Sequence, residues 1–428
     1  MGKIFIRGGV PLRGAVKVKG SKNAGLPVMA AALLTGEPVT INDVPPLRDV
    51  QVMGEVLESL GAEVNYNPIL ESVTICARNL SRWEPPAAAM KQMRASFLVL
   101  GPLLARFRRA RMVLPGGCAI GSRPVDLHLK GLAALGGDFT CGSGIFDAVT
   151  DGLKGAKIYL DYPSVGATEN IIMAATLARG ITLVENAATE PEVVDLANFL
   201  NSMGARVSGA GTNSIRVEGV GELGSTTYTV IPDRIEAGTL LLAGAITRGE
   251  LLVENLLPDH LKPLLAKLTE AGVSVEESAS GAIRVSCPGP TEAVDLKTLP
   301  YPGFPTDLQP QFMVLLALSR GTSLVTETVF ENRFKHVREL QQMGAQINIC
   351  GHRAVIRGKK RLTAAAVKAS DLRAAAGLVL AGLAAEGTTE IAEAAHLWRG
   401  YSGLEQRLRR LGADIKSAGP VPPHRAFG

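Results

Sequence analysis

Apolar positions along this chain alternate between two spacings, and the alternation recurs. From Thr168 to Ala178 the apolar residues keep helical spacing, with Ile171, Ile172, Ala175 and Ala178 on one face. Arg179-Gly180 ends that helix, and Ile181-Thr182-Leu183-Val184-Glu185-Asn186 alternates as a strand does. Pro191-Glu192 opens a second helix that runs through Val194 and Phe199 to Met203-Gly204. Ala205-Arg206-Val207 and Ser214-Ile215-Arg216-Val217 then read as a hairpin. The unit is helix, strand, helix, strand, strand. It returns at Thr239–Ile246 followed by Leu251–Asn255, and again at Met313–Leu318 followed by Ser323–Glu327.

A tripeptide centred on glycine marks the end of each second helix: Leu60-Gly61-Ala62, Leu135-Gly136-Gly137, Met203-Gly204-Ala205, Ala271-Gly272-Val273, Met343-Gly344-Ala345 and Leu411-Gly412-Ala413. The glycines are 75, 68, 68, 72 and 68 residues apart. Six copies of one unit follow, with glycine supplying the left-handed helix end. The period exceeds the roughly 20–50 residues of solenoid repeats, so two globular halves of three units fit better. The first helix of each copy is apolar on nearly all sides and belongs inside, with strands around it. The midpoint is expected near Val220 to Asp233, a region with the linker-like Gly219-Val220-Gly221-Glu222-Leu223-Gly224.

Composition narrows the function. The 428 residues are 46% hydrophobic but only 4% aromatic, so the cores are aliphatic. The net charge of +5 is small for this length and does not point to nucleic acid, where basic residues would cluster with aromatics interleaved for stacking. Five widely spaced cysteines argue against a disulfide framework, and no CxxC or HExxH pattern suggests a metal. No apolar run approaches 18 residues and the N-terminus has no secretory pattern, so a cytoplasmic enzyme with no membrane partner is expected. Arg106-Phe107-Arg108-Arg109 and Lys359-Lys360-Arg361 read as solvated surface.

One stretch stands apart: Leu114-Pro115-Gly116-Gly117-Cys118-Ala119-Ile120-Gly121-Ser122-Arg123-Pro124-Val125-Asp126-Leu127. It sets a thiol in a glycine-rich loop that can fold tightly or act as a lid, with a guanidinium five residues on that favours thiolate. A turn with an incidental cysteine is the competing interpretation.

This segment resembles the enolpyruvyl transferases. The resemblance covers essentially the whole chain and rests also on Gly20-Ser21-Lys22-Asn23-Ala24, Met93-Arg94-Ala95-Ser96, Ser164-Val165-Gly166-Ala167-Thr168, Pro232-Asp233-Arg234-Ile235-Glu236, Phe304-Pro305-Thr306-Asp307, the run Thr326 to Phe334, Asp371-Leu372-Arg373-Ala374 and Arg399-Gly400-Tyr401. It implies a two-domain inside-out α/β barrel of six repeated units, three per domain. Residues 22–230 would form the domain carrying the Cys118 loop, and 1–21 plus 231–428 the other, with the active site in the cleft between them. The implied reaction moves the enolpyruvyl group of phosphoenolpyruvate to the 3′-hydroxyl of UDP-N-acetylglucosamine and releases phosphate, with no cofactor and no metal.

By resemblance, Lys22, Arg123 and Arg399 hold phosphoenolpyruvate, and Arg94 and Arg373 line the site; any one of these arginines taken alone reads as a surface ion-pair partner. Cys118 is the thiol that protonates C3 or adds to C2, and the target of the epoxide fosfomycin. Asp307 orients or accepts the sugar 3′-hydroxyl proton, although a turn cap between Pro305 and Pro310 competes for it. The UDP moiety would lie along Arg123, Pro124, Val125, Asp126 and Leu127, with Ser164, Val165 and Gly166 near the diphosphate, Val329 near the sugar and Asn23 as a further sugar contact. Some members carry Lys where this chain has Tyr162, which puts one diphosphate contact in doubt. Two alternatives remain: the shikimate-pathway sister enzyme, which lacks a counterpart to the Pro-Gly-Gly-Cys loop, and a silent UDP-sugar-binding paralogue, which would be expected to lose Cys118, Asp307 or Lys22.

Overall fold

A computed structural model describes residues 2–113, 125–142 and 144–418. Within them, residues 20–113 and 125–231 form one compact unit, and residues 2–19 and 232–418 form the other. Each unit is built from three small sheets and its own aliphatic core among the described residues. The 20–231 core includes Met29, Leu33, Ile172, Phe199 and Leu200, and the second core Leu241, Phe312, Leu315, Val379 and Leu380.

The apolar helices lie inside these cores. Every residue from Ile235 to Ile246 is buried in the helix Arg234–Ile246, from Gln309 to Ala317 in Gln309–Leu318, and from Arg373 to Leu383 in Leu372–Ala384. These three helices pack on one another. In the other unit Lys22–Ala31 and Val165–Thr176 are buried almost throughout, and Leu100–Phe107 packs on Val165–Thr176. The helix expected from Thr168 starts three residues earlier, because Ser164 caps it by accepting from the Ala167 amide at 3.4 Å.

In five of the six repeats the strand after the buried helix organises its sheet. Val39–Asn42, Ile181–Glu185, Glu250–Glu254, Thr322–Thr326 and Thr388–Ala392 each pair in parallel with one neighbour and antiparallel with another. Three of these pairings join distant parts of the chain. Arg13–Lys17 lies parallel to Glu250–Glu254. Thr226–Thr229 completes the sheet of Val39–Asn42. Lys3–Arg7 lies between Thr388–Ala392 and Asp414–Ala418, antiparallel to both, as Ser214–Glu218 lies between Ile181–Glu185 and Arg206–Ser208.

The six marker glycines, 61, 136, 204, 272, 344 and 412, take φ between 86° and 105°. After each, the next amide returns to the carbonyl of a leucine five residues earlier: Leu57, Leu132, Leu200, Leu268, Leu340 and Leu408. All six leucines are buried. This is the Schellman closure, in which a left-handed residue lets two amides reach carbonyls that the helix leaves open.

In the basic stretch 106–109, Arg108 and Arg109 are exposed as expected, but Arg106 is not a surface charge. Its Nη1 donates to the carbonyls of Leu33, Thr35 and Ala77 at 2.8, 3.0 and 2.9 Å, and burial lowers its pKa. It is a clamp on carbonyls where the first repeat's helix ends, not a solvated charge. Arg109 lies 4.8 Å from the centre of the Trp83 ring.

Gly219 follows the strand Ser214–Glu218, and a Cβ there would stand 1.6 Å from the Ala178 carbonyl oxygen. Backbone rather than a flexible side chain would have to yield. Gly219→Ala should destabilise the 20–231 unit by about 2–4 kcal/mol, read from its denaturant transition; a midpoint within error of the parent would contradict this close approach.

Candidate active site

Four of the charged residues picked out by sequence, Lys22, Arg94, Asp307 and Arg373, stand in the first turns of buried helices or in the short turns that lead into them. Ser21, Ser164, Asp233 and Asp371 cap four of the buried helices, each accepting from amides of the first turn. Beside these caps stand Lys22, Arg234 and Arg373. A cation in a first turn opposes the helix dipole and costs about 0.3–1 kcal/mol unless an anion neutralises it.

In the 20–231 unit the neutralising group for Lys22 is Asp49. The Lys22 Nζ lies 3.2 Å from Asp49 Oδ2, with the side chains only 12% and 6% exposed. Asn23 is half-buried beside it. Arg94 opens the tight turn Arg94–Val99, which leads into Leu100–Phe107. Its positive charge acts on His128, a buried ring pushed down to about 3, first by burial and then by that guanidinium. Asn170 fixes the tautomer. Its Oδ1 accepts from the Gly101 amide, so its Nδ2 must donate to His128 Nδ1 at 3.0 Å. Val125, Asp126 and Leu127 begin the helix Asp126–Ala134, with Asp126 exposed. Ser164, Val165 and Gly166 form the start of Val165–Thr176, each half-buried. Tyr162 is 44% exposed. Cys118, Arg123 and Pro124 lie outside the described residues.

In the other unit the centre is Asp307. It sits in the tight turn Thr306–Leu308, between Pro305 and Gln309-Pro310. Its carboxylate receives two guanidiniums. Arg333 Nη2 donates to Oδ1 at 3.0 Å, and Arg373 donates to Oδ2 through Nη2 at 2.8 Å and Nε at 3.1 Å. The arginine side chains are 2% and 6% exposed while Asp307 keeps 26%, so the carboxylate is the reachable end of the cluster. Charge-assisted bonds of this kind hold a carboxyl group in its ionised form.

Surrounding groups fix the arginines. Arg333 also donates Nε and Nη2 to the Thr306 carbonyl. Burial would lower the pKa of Arg373, but Asp307, Tyr401 and Asp233 outweigh it and raise it. Asp371 accepts from the Arg373 and Ala374 amides at 2.9 and 3.1 Å. Burial works to raise its pKa, yet Arg333 and those amides bring it below the usual value. Val329 is placed by Glu327, whose Oε1 accepts from the Val329 and Phe330 amides while Oε2 accepts from Thr306 Oγ1. Arg399 ends the turn Ala394–Arg399.

Asp49, Arg333, Asp371 and Tyr401 were not singled out as site residues from sequence. The signal for Asp371 was its place one residue before an apolar run, where an N-cap stands. For Asp49, the signal was an unfavourably placed cation, Lys22, which calls for a buried anion.

A family model described as EPSP synthase (3-phosphoshikimate 1-carboxyvinyltransferase) matches residues 6–408. The chain belongs to this family, the enolpyruvyl transferases, and is an enzyme of the transferase class. It is 55% identical over 417 residues, 97% of this chain and 99% of the relative, to UDP-N-acetylglucosamine 1-carboxyvinyltransferase 2 of Carboxydothermus hydrogenoformans. It is 53% identical over 413 residues, 96% of this chain and 99% of the relative, to UDP-N-acetylglucosamine 1-carboxyvinyltransferase 1 of Caldanaerobacter subterraneus subsp. tengcongensis. Among solved structures, the enolpyruvyl transferase NikO of Streptomyces tendae matches with TM-score 0.88 and 28% identity over 98% of this chain and 99% of that one. An EPSP synthase of Acinetobacter baumannii shares the fold at TM-score 0.76 and 19% identity, covering 98% of this chain and 100% of that one.

His336 is buried beside the cluster, with Nδ1 3.1 Å from the Arg333 carbonyl, so Nδ1 carries the hydrogen. Burial pushes it down to about 4, helped by Arg333 and opposed by Asp371. A histidine depressed on folding contributes stability above its unfolded value near 6.5, and that contribution is lost as pH falls toward the folded value. Stability should therefore drop between pH 6.5 and 4. His336→Asn keeps a donor for the carbonyl and removes the titration. Its stability should fall less steeply in that window, by about 1.4 kcal/mol per pH unit. Denaturant unfolding at stepped pH measures this, and an unchanged slope would exclude His336 as the source.

Proposed function

We propose that the chain transfers the enolpyruvyl group of phosphoenolpyruvate to the 3′-hydroxyl of UDP-N-acetylglucosamine with release of phosphate, a step that supplies bacterial cell-wall peptidoglycan, in the cytoplasm. The observation that carries this proposal is the Asp307 carboxylate, pinned by Arg333 and Arg373 yet partly open to solvent. A fixed, ionised carboxylate suits a hydroxyl that must be aimed and relieved of its proton as it attacks. The hydroxyl is far too weak an acid to lose that proton beforehand, so transfer accompanies bond formation.

The sugar oxygen attacks C2 of phosphoenolpyruvate while C3 gains a proton from the Cys118 thiol. The adduct then loses a proton from C3 as the C2–O bond to phosphate breaks. Both substrates are anions, and the basic residues answer to them. Lys22, Arg123 and Arg399 hold the phosphate and carboxylate of phosphoenolpyruvate, with Arg94 and Arg373 adding positive charge. Arginine suits these groups because its planar fork donates two parallel hydrogen bonds.

Ser164, Val165 and Gly166 bring a helix start, with its free amides, to the diphosphate. Arg123, Pro124, Val125, Asp126 and Leu127 run along the UDP moiety, and Asn23 and Val329 meet the sugar. Lys22 belongs to the 20–231 unit and Asp307 to the other. The intact presence of Cys118, Lys22 and Asp307 weighs against a silent paralogue.

Phosphate release from phosphoenolpyruvate should require UDP-N-acetylglucosamine and should not occur with shikimate 3-phosphate; the reverse pattern would sink the assignment. Cys118→Ala should lower kcat by roughly 10²–10⁴-fold, the range for loss of a general acid, and leave UDP-sugar binding by calorimetry largely intact. Mass spectrometry after fosfomycin should find the adduct on Cys118, and faster with the UDP-sugar present; labelling at another cysteine would contradict the role.

A further inference from the structure

Tyr401 is the largest side chain of the described core that is fully buried, and it ends in a polar atom. Its hydroxyl lies 2.9 Å from Thr239 Oγ1, 3.2 Å from Gln311 Nε2 and 3.3 Å from Arg373 Nη1. Each of the three partners belongs to a different buried helix: Arg234–Ile246, Gln309–Leu318 and Leu372–Ala384.

The hydrogens can be placed by counting. Arg373 and the Gln311 amide nitrogen can only donate, so the phenolic oxygen accepts from both. Thr239 spends its single hydroxyl hydrogen on the Ile235 carbonyl at 2.8 Å. The phenol must then donate to Thr239 Oγ1. Gln311 Nε2 also reaches Thr239 Oγ1 at 3.2 Å; turned over, the amide would set two acceptors against each other there. The hydroxyl is thus saturated, one bond given and two received, in one orientation. Burial raises its pKa, so the proton stays on the phenol and the oxygen remains neutral.

The consequence falls on Arg373. With Nη1 tied to Tyr401, the guanidinium has one rotational setting, and in that setting Nε and Nη2 both meet Asp307 Oδ2. We propose that Tyr401 is a positioning residue of the transfer step, fixing the Arg373 fork and through it the direction of the Asp307 carboxylate. This rests on the role proposed above for Asp307. The three-helix core is thereby connected to the reacting carboxylate by a chain of two hydrogen-bonded groups. Phenylalanine would fill the same volume and leave the fork free to turn.

The test is steady-state kinetics on the full chain. Tyr401→Phe should lower kcat about tenfold or more, equivalent to about 1.4 kcal/mol per factor of ten, with KM for the UDP-sugar little changed. Arg373→Lys should cost more, and adding Tyr401→Phe to it should cost nothing further, because the phenol would then have no fork to set. Additive losses, or a Tyr401→Phe enzyme with parental kcat, would overturn the inference. Thr239→Ala removes the acceptor that orients the phenol and should give a smaller kcat loss in the same direction, which keeps the test open if Tyr401→Phe folds poorly. Asp307→Asn separates the two levels. If it retains parental activity, the role of Asp307 fails; if it is inactive while Tyr401→Phe is not impaired, only the positioning role fails.

Discussion

A helix that is apolar around its whole circumference can persist in water only when it is enclosed on every side. Arg234–Ile246, Gln309–Leu318 and Leu372–Ala384 meet that demand by packing on one another beneath their sheets. Enclosure leaves their ends as the places where side chains can meet a ligand. Arg234 and Arg373 stand in the first turns of two of them, and Asp307 in the turn that leads into the third. The location of the candidate chemistry follows from the burial requirement.

Helix starts carry partial positive charge, and Ser21, Ser164, Asp233 and Asp371 use it as caps do. Lys22 and Arg373 work against it. Each is balanced by a carboxylate, Asp49 and Asp307 respectively, that brings it close to neutrality. Such pairs add little to stability, because taking both charges out of water offsets most of their attraction. Their use is directional. Arg333 and Arg373 approach the two oxygens of Asp307 separately, so the carboxylate plane is set and the exposed part of the group points one way.

The architecture was legible because it is repeated. The leucine four residues before each marker glycine, and the glycine itself, write the same helix end six times, and every copy has the same closure. Alternation at Ile181–Glu185 and the apolar run after Ser164 gave strand and helix to within three residues. What resisted reading were partnerships across long separations. Nothing near Arg106 announces that its guanidinium collects the carbonyls of Leu33, Thr35 and Ala77. Nothing near Tyr401 points to Thr239, 162 residues away. Local pattern encodes local structure, whereas a buried polar group must be satisfied by whatever the packed fold brings beside it.

The repeats also separate scaffold from chemistry. Where a side chain caps the buried helix, the cap varies only between serine and aspartate, and the neighbouring residue is free to differ, as Lys22, Val165, Arg234 and Leu372 do. In the second and fifth repeats a tight turn replaces the capping side chain: Arg94–Val99 before Leu100–Phe107 and Thr306–Leu308 before Gln309–Leu318. These turns close three-residue backbone bonds of their own, from the Ser96 amide to Met93 and from the Leu308 amide to Pro305. A helix start closed by its backbone needs no side chain for capping. Arg94 and Asp307 stand in those two turns, so the two departures from the repeated cap coincide with two residues on which the proposed reaction depends.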